Sequence, residues 1–240
     1  MDYITRYYMN QSILRGISTV NDVQKIEAYE SKIYDRILLK NLQEYKSANI
    51  VELACGPGIL LRYLKKNGFE HIVGVDIDDK YLNICNFQGL NVIKQDAVAW
   101  LKDQKKGSID VIFAVDFFEH LNKEQFIDML DLLRDVLSPK GVFFARIPCA
   151  NSPFFGLNFY NDITHHTVFT ITALNATLSM CGFKLSKVID ECPANIISNR
   201  WWRVPTSKLA RFLLRKIIYH AINQEICVLG PTVWIVGNSK

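Results

Sequence analysis

From Ala48 to Ile147 the chain alternates short apolar runs with helical stretches, and this alternation limits its fold more than any other feature. Asn49–Ala54, His71–Asp76, Val92–Ile93, Ile109–Val115 and Gly141–Ile147 read as strands. The run Ile109–Val115 is almost continuously apolar, as a strand buried on both faces should be. Ile59–Lys66 reads as a helix closed by Asn67-Gly68, and Glu124–Leu137 as an amphipathic helix stopped by Ser138-Pro139-Lys140-Gly141. Strands alternating with helices predict an α/β fold with a doubly wound, mostly parallel sheet.

Residues 1–45 read as an N-terminal helical cap, in which Val23, Ile26, Ile33 and Ile37 recur at near-helical spacing. Residues 46–150 form the core. Residues 151–240 complete the same domain: a polar, aromatic loop over 151–170, a helix over Thr172–Met180, strands at Phe183–Ile189 and Thr232–Val236, and a basic amphipathic helix over Ser207–Gln224 preceded by Trp201-Trp202.

Composition serves mainly to exclude. With 240 residues, 49% hydrophobic and 22% charged, the chain suits one globular domain and not a disordered or fibrous protein. No run approaches the apolar length of a transmembrane helix, and Met1–Gly16, with Asp2, Arg6 and Arg15, lacks the apolar core of a secretory signal. The six cysteines, at 55, 85, 149, 181, 192 and 227, show no zinc-knuckle or redox spacing. They read as reduced thiols of a cytoplasmic protein. A net charge of +4 is no nucleic-acid footprint, so DNA is not expected as a partner.

The first strand ends in Glu52-Leu-Ala-Cys-Gly-Pro-Gly58, where parallel sheets bind nucleotides. Gly56 and Gly58 allow a sharp turn and close approach of a ligand. Asp76, eighteen residues after Gly58, ends the second strand and can accept both hydroxyls of an adenosine ribose. A dinucleotide site would need a third glycine three residues after Gly58, where Leu61 stands. Glu52 would also repel a pyrophosphate while suiting an ammonium or sulfonium cation. A nicotinamide dehydrogenase is disfavoured on both counts.

These residues resemble the first two motifs of the class I S-adenosylmethionine-dependent methyltransferases, with Ala54 in place of the first glycine and Ile77 following the ribose-binding Asp76. Gln95-Asp96-Ala97 is similar to the third motif, Ile109–Leu121 to the fourth, and Ser138-Pro-Lys-Gly-Val-Phe-Phe to the fifth. The resemblance implies a Rossmann-like seven-stranded, mostly parallel sheet flanked by helices, with the last strand antiparallel. It implies S-adenosylmethionine as cofactor, held by Glu52, Ala54, Gly56, Gly58, Asp76, Ile77, Asp96, Ala97 and Asp116. Asp96 would hold the adenine amino group and the Ala97 amide its ring nitrogen.

On the acceptor side, Asp116, Glu119 and His120 fall at i, i+3 and i+4 and would share a face in a helical turn. The segment lacks the Asn/Asp-Pro-Pro-aromatic sequence of nucleobase methyltransferases. Asp162-Ile-Thr-His165-His-Thr-Val-Phe169-Thr resembles a subgroup associated with bacterial O-antigen and capsule synthesis, implying a nucleotide- or lipid-linked sugar acceptor. Two chemistries are open. His120 or His165 is the general base, oriented by Asp162 or Glu119. Alternatively Asp116, Glu119, His120 and His165 bind Mg²⁺ or Mn²⁺, a spacing that resembles metal-using ubiquinone-pathway and small-RNA 2′-hydroxyl methyltransferases. A small-molecule or RNA-ribose O-methyltransferase, and a catalytically silent S-adenosylmethionine-binding partner protein, are the alternatives.

Arg200-Trp-Trp-Arg203 precedes Lys208, Arg211 and Arg215 at helical spacing, with Leu209, Phe212, Leu213 and Ile217 on another face. Such a helix can rest on an anionic bilayer, contact a phosphorylated sugar, or cover the sheet or a dimer partner. The last is the favoured expectation.

Overall fold

The apolar runs pair in the order that right-handed strand–helix–strand crossovers require. In the computed structural model, which describes residues 7, 17, 19–191, 203–223, 225 and 227–239, they form one seven-stranded sheet. Strand β1 (Ile50–Leu53) lies between β2 (Ile72–Asp76) and β4 (Ile109–Val115), parallel to both. Strand β3 (Val92–Lys94) continues beyond β2, and β5 (Leu137–Pro148) beyond β4, again in parallel. The last strand, β7 (Thr232–Ser239), inserts antiparallel between β5 and β6 (Phe183–Asp190). The order is therefore β3-β2-β1-β4-β5-β7-β6, and the strand order reverses between β1 and β4. A crevice opens at that reversal, on the carboxyl edge of the sheet.

The helices bury one stripe each against this sheet. Helix α1 (Val20–Ile37) starts at a capping box in which Thr19 and Asp22 satisfy each other's backbone amides. Its Ile33, Tyr34 and Ile37 pack with Leu60 and Leu64 of α3 (Ile59–Lys66) on Ile50, Phe113, Phe144 and Trp234; the short α2 (Leu39–Leu42) adds Leu42 to this cluster. On the other face, Phe126, Met129 and Leu133 cover Val51, Ile112, Phe143 and Ile235 together with Leu174 and Leu178. The first three belong to α6 (Lys123–Val136), which follows α4 (Asp79–Phe87) and α5 (Ala97–Lys102). The other two belong to α8 (Ile171–Met180), which follows the single turn α7 (Gly156–Phe159). Strand β4 alternates accordingly, Val111 and Phe113 to one face and Ile112 and Ala114 to the other.

Several boundaries differ from the sequence reading, most of them by one to three residues. Strand β5 begins at Leu137 rather than Gly141, because Leu137 already pairs with Ile109 and Ser138–Gly141 bulge outward before Val142 meets Val111. The basic helix, α9 (Arg203–Ile222), begins four residues before Ser207, with Pro205 in its first turn, where a missing amide is harmless. The 151–170 loop contains α7. Cys192, Arg200, Trp201, Trp202 and Gln224 lie outside the described residues. The cysteines at 55, 85, 149 and 181 are buried free thiols, and Cys227 is an exposed one.

Candidate active site

Strand β1 delivers the chain into a turn where Ala54, Gly56 and Gly58 all have left-handed backbones, with φ of 52°, 52° and 73°. Gly58 is doubly constrained: a Cβ there would stand 2.6 Å from Leu90 and 2.8 Å from the Cys85 sulfur. The close helix–strand approach that a third glycine of a dinucleotide site provides comes from the opposite partner. Leu61 of α3 fills the space over Gly74 of β2, where a Cβ would meet Leu61 Cδ1 at 2.4 Å and Cys55 Sγ at 2.7 Å. Sequence reasoning missed Gly74, although a glycine inside a strand signals close approach of another group.

Two carboxylates flank the turn. Asp76, at the end of β2, accepts the Gly56 amide at 2.7 Å on Oδ2 and the Asp78 amide at 2.8 Å on Oδ1, which fixes its plane beside the turn. Each carboxylate oxygen retains further acceptor capacity. Burial raises the Asp76 pKa, and the amide hydrogen bonds oppose the rise. Glu52, central in β1 and paired with Gly74 and Phe113, is buried, and its Oε2 has no hydrogen-bond partner. Burial, then the neighbouring Cys85 and Asp76, push its pKa well above the usual carboxylate range. A buried, unsatisfied acidic group beside a glycine turn fits a cationic ligand and argues against a phosphate. Ile77 is 66% exposed directly after Asp76, an apolar surface at the crevice. Asp96 caps α5 through the Ala99 amide at 3.0 Å, and Ala97 is buried behind it.

Asp116 follows β4 in a left-handed conformation (φ 51°). Its carboxylate is gripped at both oxygens by Arg146 of β5, Nε to Oδ1 at 2.8 Å, while Arg146 Nη1 reaches Glu30 of α1 at 2.7 Å. The guanidinium lies over Trp234, 5.8 Å from the ring centroid. Burial alone would lower the Arg146 pKa, but Asp116 and Glu30 outweigh it and raise it. Arg146 was not singled out by sequence reasoning. Its signal was a lone charge inside the apolar run Val142–Ile147.

The helical face expected from Asp116, Glu119 and His120 is not formed, because Asp116 is left-handed and the turn Phe118–His120 is 3₁₀. Glu119 and His120 instead meet His165, each offering one ligand atom within 4.8 Å of the others. The 160s loop is stitched to this turn: the His166 and Thr167 amides donate to the Glu119 carbonyl, and Thr167 Oγ1 to the Leu121 carbonyl at 2.7 Å. His120 Nδ1 contacts Thr164 Oγ1 at 2.9 Å, and that hydroxyl donates its one proton to Asp162 Oδ1 at 2.6 Å. Thr164 therefore accepts from His120, so Nδ1 of His120 carries the ring proton and Nε2 the lone pair. His165 Nδ1 lies 2.8 Å from the Phe159 carbonyl, which can only accept, so its lone pair is also on Nε2, 3.9 Å from Glu119 Oε1. Burial, then the facing His165, lower the His120 pKa to about 4. Burial, then Asp116, push Glu119 well above the carboxylate range. Asp162 is held below it by its Thr164 hydrogen bonds, against the pull of burial.

A methyltransferase-domain family model matches residues 26–188, more than half of the chain. The chain belongs to the methyltransferase-domain family. It is an S-adenosylmethionine-dependent methyltransferase. Among solved structures, this methyltransferase is similar to an S-adenosylmethionine-dependent methyltransferase from Archaeoglobus fulgidus (24% identity, TM-score 0.67, covering 99% of this chain and 100% of that one). A counterpart from Mesorhizobium loti shares 15% identity at a TM-score of 0.57 over 86% of this chain and 97% of that one. Magnesium protoporphyrin IX methyltransferase of Synechocystis PCC 6803, solved with bound S-adenosylmethionine, shares 11% at 0.55 over 93% and 85%. At these identities the likeness is one of fold. No curated protein matches the sequence significantly.

Proposed function

We propose that this enzyme is an O-methyltransferase whose acceptor is a hydroxyl of a sugar in a surface-glycan precursor. The observation that carries the oxygen acceptor is the Glu119–His120–His165 cluster with both imidazole Nδ1 protons tied down. Methylating a hydroxyl requires a proton acceptor beside it, and two Nε2 lone pairs and a buried carboxylate converge there. The sugar is supported by the resemblance of Asp162–Thr170 to glycan-associated enzymes and by the exposed Tyr160, which packs on Phe159, whose ring lies 5.6 Å from that of His165.

S-adenosylmethionine supplies an electrophilic methyl group on a sulfonium. The left-handed glycine turn and the orphaned Glu52 oxygen fit such a cation, with Asp76 for the ribose and Ile77, Asp96 and Ala97 for the adenine. Asp116, fixed by Arg146, ends the strand beside them. The acceptor oxygen gains the methyl and loses its proton to Nε2 of His165, which lies 3.9 Å from Glu119 Oε1. His120, with a pKa near 4, is a weak proton acceptor and serves with Asp162 and Thr164 to position the loop.

A second reading rests on the Glu119 Oε2, buried without a hydrogen-bond partner. Two neutral imidazoles and a carboxylate, with both Nδ1 protons donated onward, also fit Mg²⁺ or Mn²⁺, which lowers the pKa of a bound hydroxyl. The test is S-adenosylhomocysteine release against an array of nucleotide-linked sugars and sugar phosphates, with and without EDTA. Turnover of one sugar class supports the proposal, and turnover confined to amines or nucleobases overturns it. Loss of turnover with EDTA, restored by Mn²⁺, selects the metal reading over the free base.

A further inference from the structure

Helix α9 carries its charge and its exposed apolar residues in an uneven way. Arg203–Ile222 holds five of the chain's basic residues, Arg203, Lys208, Arg211, Arg215 and Lys216, and no acidic one. The chain's net charge is +4, so everything outside this helix sums to slightly negative. Leu214 and Ile218 turn towards the protein and are half-buried. On the opposite face Leu209, Phe212, Leu213 and Ile217 are 58%, 56%, 50% and 64% exposed. Their spacing of i, i+3, i+4 and i+8 makes one continuous apolar stripe, with Lys208 and Lys216 exposed along it. These four side chains do not cover the sheet, so of the favoured expectation, sheet cover or a dimer partner, the first does not hold for them.

The helix is also anchored. Arg211 is paired with Asp190, whose carboxylate accepts the Leu229 and Gly230 amides at 3.1 and 2.9 Å, and Arg215 donates to the Cys227 carbonyl at 2.8 Å. Asp190 ends β6, which runs in the same direction as β5 because both are antiparallel to β7. The helix is therefore tied to the carboxyl edge, the edge that carries the glycine turn and the Glu119–His120–His165 cluster.

We propose that α9 is an interfacial helix that docks this methyltransferase on an anionic lipid bilayer, with the four apolar side chains in the headgroup boundary and the lysines on lipid phosphates. An apolar stripe flanked by cations without a single acid is the complement of that surface. No helix among the described residues is long and apolar enough to cross a membrane, so α9 lies on the surface. A second copy packed across a two-fold axis would set two such cationic helices against each other. A nucleic acid would engage the lysines and leave the apolar stripe in water. Docking would turn the catalytic edge towards the bilayer, and it holds whatever the acceptor is.

The experiment is flotation of the full-length protein with phosphatidylcholine vesicles, with and without phosphatidylglycerol, at low and high salt. Binding is expected only with the anionic lipid and should weaken with salt. Phe212→Glu/Ile217→Glu should abolish it, and Lys208→Gln/Lys216→Gln should weaken it on the order of 30-fold. The altered side chains are exposed, so melting temperature and S-adenosylhomocysteine binding should match the parent protein. No flotation with anionic vesicles, or flotation indifferent to both double variants, overturns the proposal. A dimer in sedimentation equilibrium that Phe212→Glu/Ile217→Glu converts to monomer assigns the stripe to a second copy instead.

Discussion

Leu61 lies directly over Gly74, so that a Cβ on the glycine would stand 2.4 Å from the leucine methyl. This contact lets α3 approach β2 closely and sets the glycine turn against Asp76. Gly74→Ala should therefore destabilise the protein by about 1–3 kcal/mol through overpacking. Affinity for S-adenosylhomocysteine should fall with it, because the turn moves away from Asp76. Thermal melts and calorimetric titration measure the two effects.

Ala54 is the reverse case. It carries a side chain at φ 52°, where that conformation costs about 1 kcal/mol that glycine avoids. Glycine loses some of this gain through its greater freedom in the unfolded chain. Ala54→Gly should raise stability by up to about 1 kcal/mol in denaturant unfolding, with S-adenosylhomocysteine affinity unchanged or improved.

Thr164 relays Asp162 to His120 through one hydroxyl. Thr164→Val keeps the shape, removes the relay and frees the His120 ring to change tautomer. Turnover should fall roughly 10–100-fold, as when an outer partner of an active-site histidine is removed. S-adenosylhomocysteine affinity should not change, because the relay lies on the acceptor side. An equal loss in both readings would show that the loop supports the donor site too.

The buried His120 also gives a pH signature. Its pKa falls from an ordinary 6.5 to about 4 on folding, so below 6.5 the unfolded chain binds the extra proton. Its contribution is complete above pH 6.5 and is lost as pH falls towards 4. Relative to His120→Gln, the parent protein should lose about 2 kcal/mol of stability between pH 7 and pH 5. Urea unfolding of both proteins at the two pH values measures the difference. Parallel pH profiles would contradict a buried, neutral His120.

The sequence by itself determined the parallel core and the glycine turn that ends its first strand. Those features are local: a strand's apolar run, a helix cap and a glycine turn are set by residues within a few positions of one another. Ile109–Val115 and Ile59–Lys66 consequently appear with the boundaries their pattern predicts. Asp76 ends its strand, Asp96 caps a helix and Asp116 follows its strand directly, while Glu52 lies inside β1 before the glycine turn. What joins distant segments was not legible. Arg146 meets Asp116 and Glu30 across 30 and 116 residues, and Leu61 fits Gly74 only because two strands pair in one register. Spacing placed Asp116, Glu119 and His120 on one face, but a left-handed Asp116 broke it; resemblance had grouped His165 with them, and the fold brings it to Glu119 and His120 from 45 residues beyond His120. Helix α9 was readable as amphipathic, yet which face meets water depends on the body it packs against. Periodicity fixes the two faces of a helix, and only tertiary packing decides which one is buried.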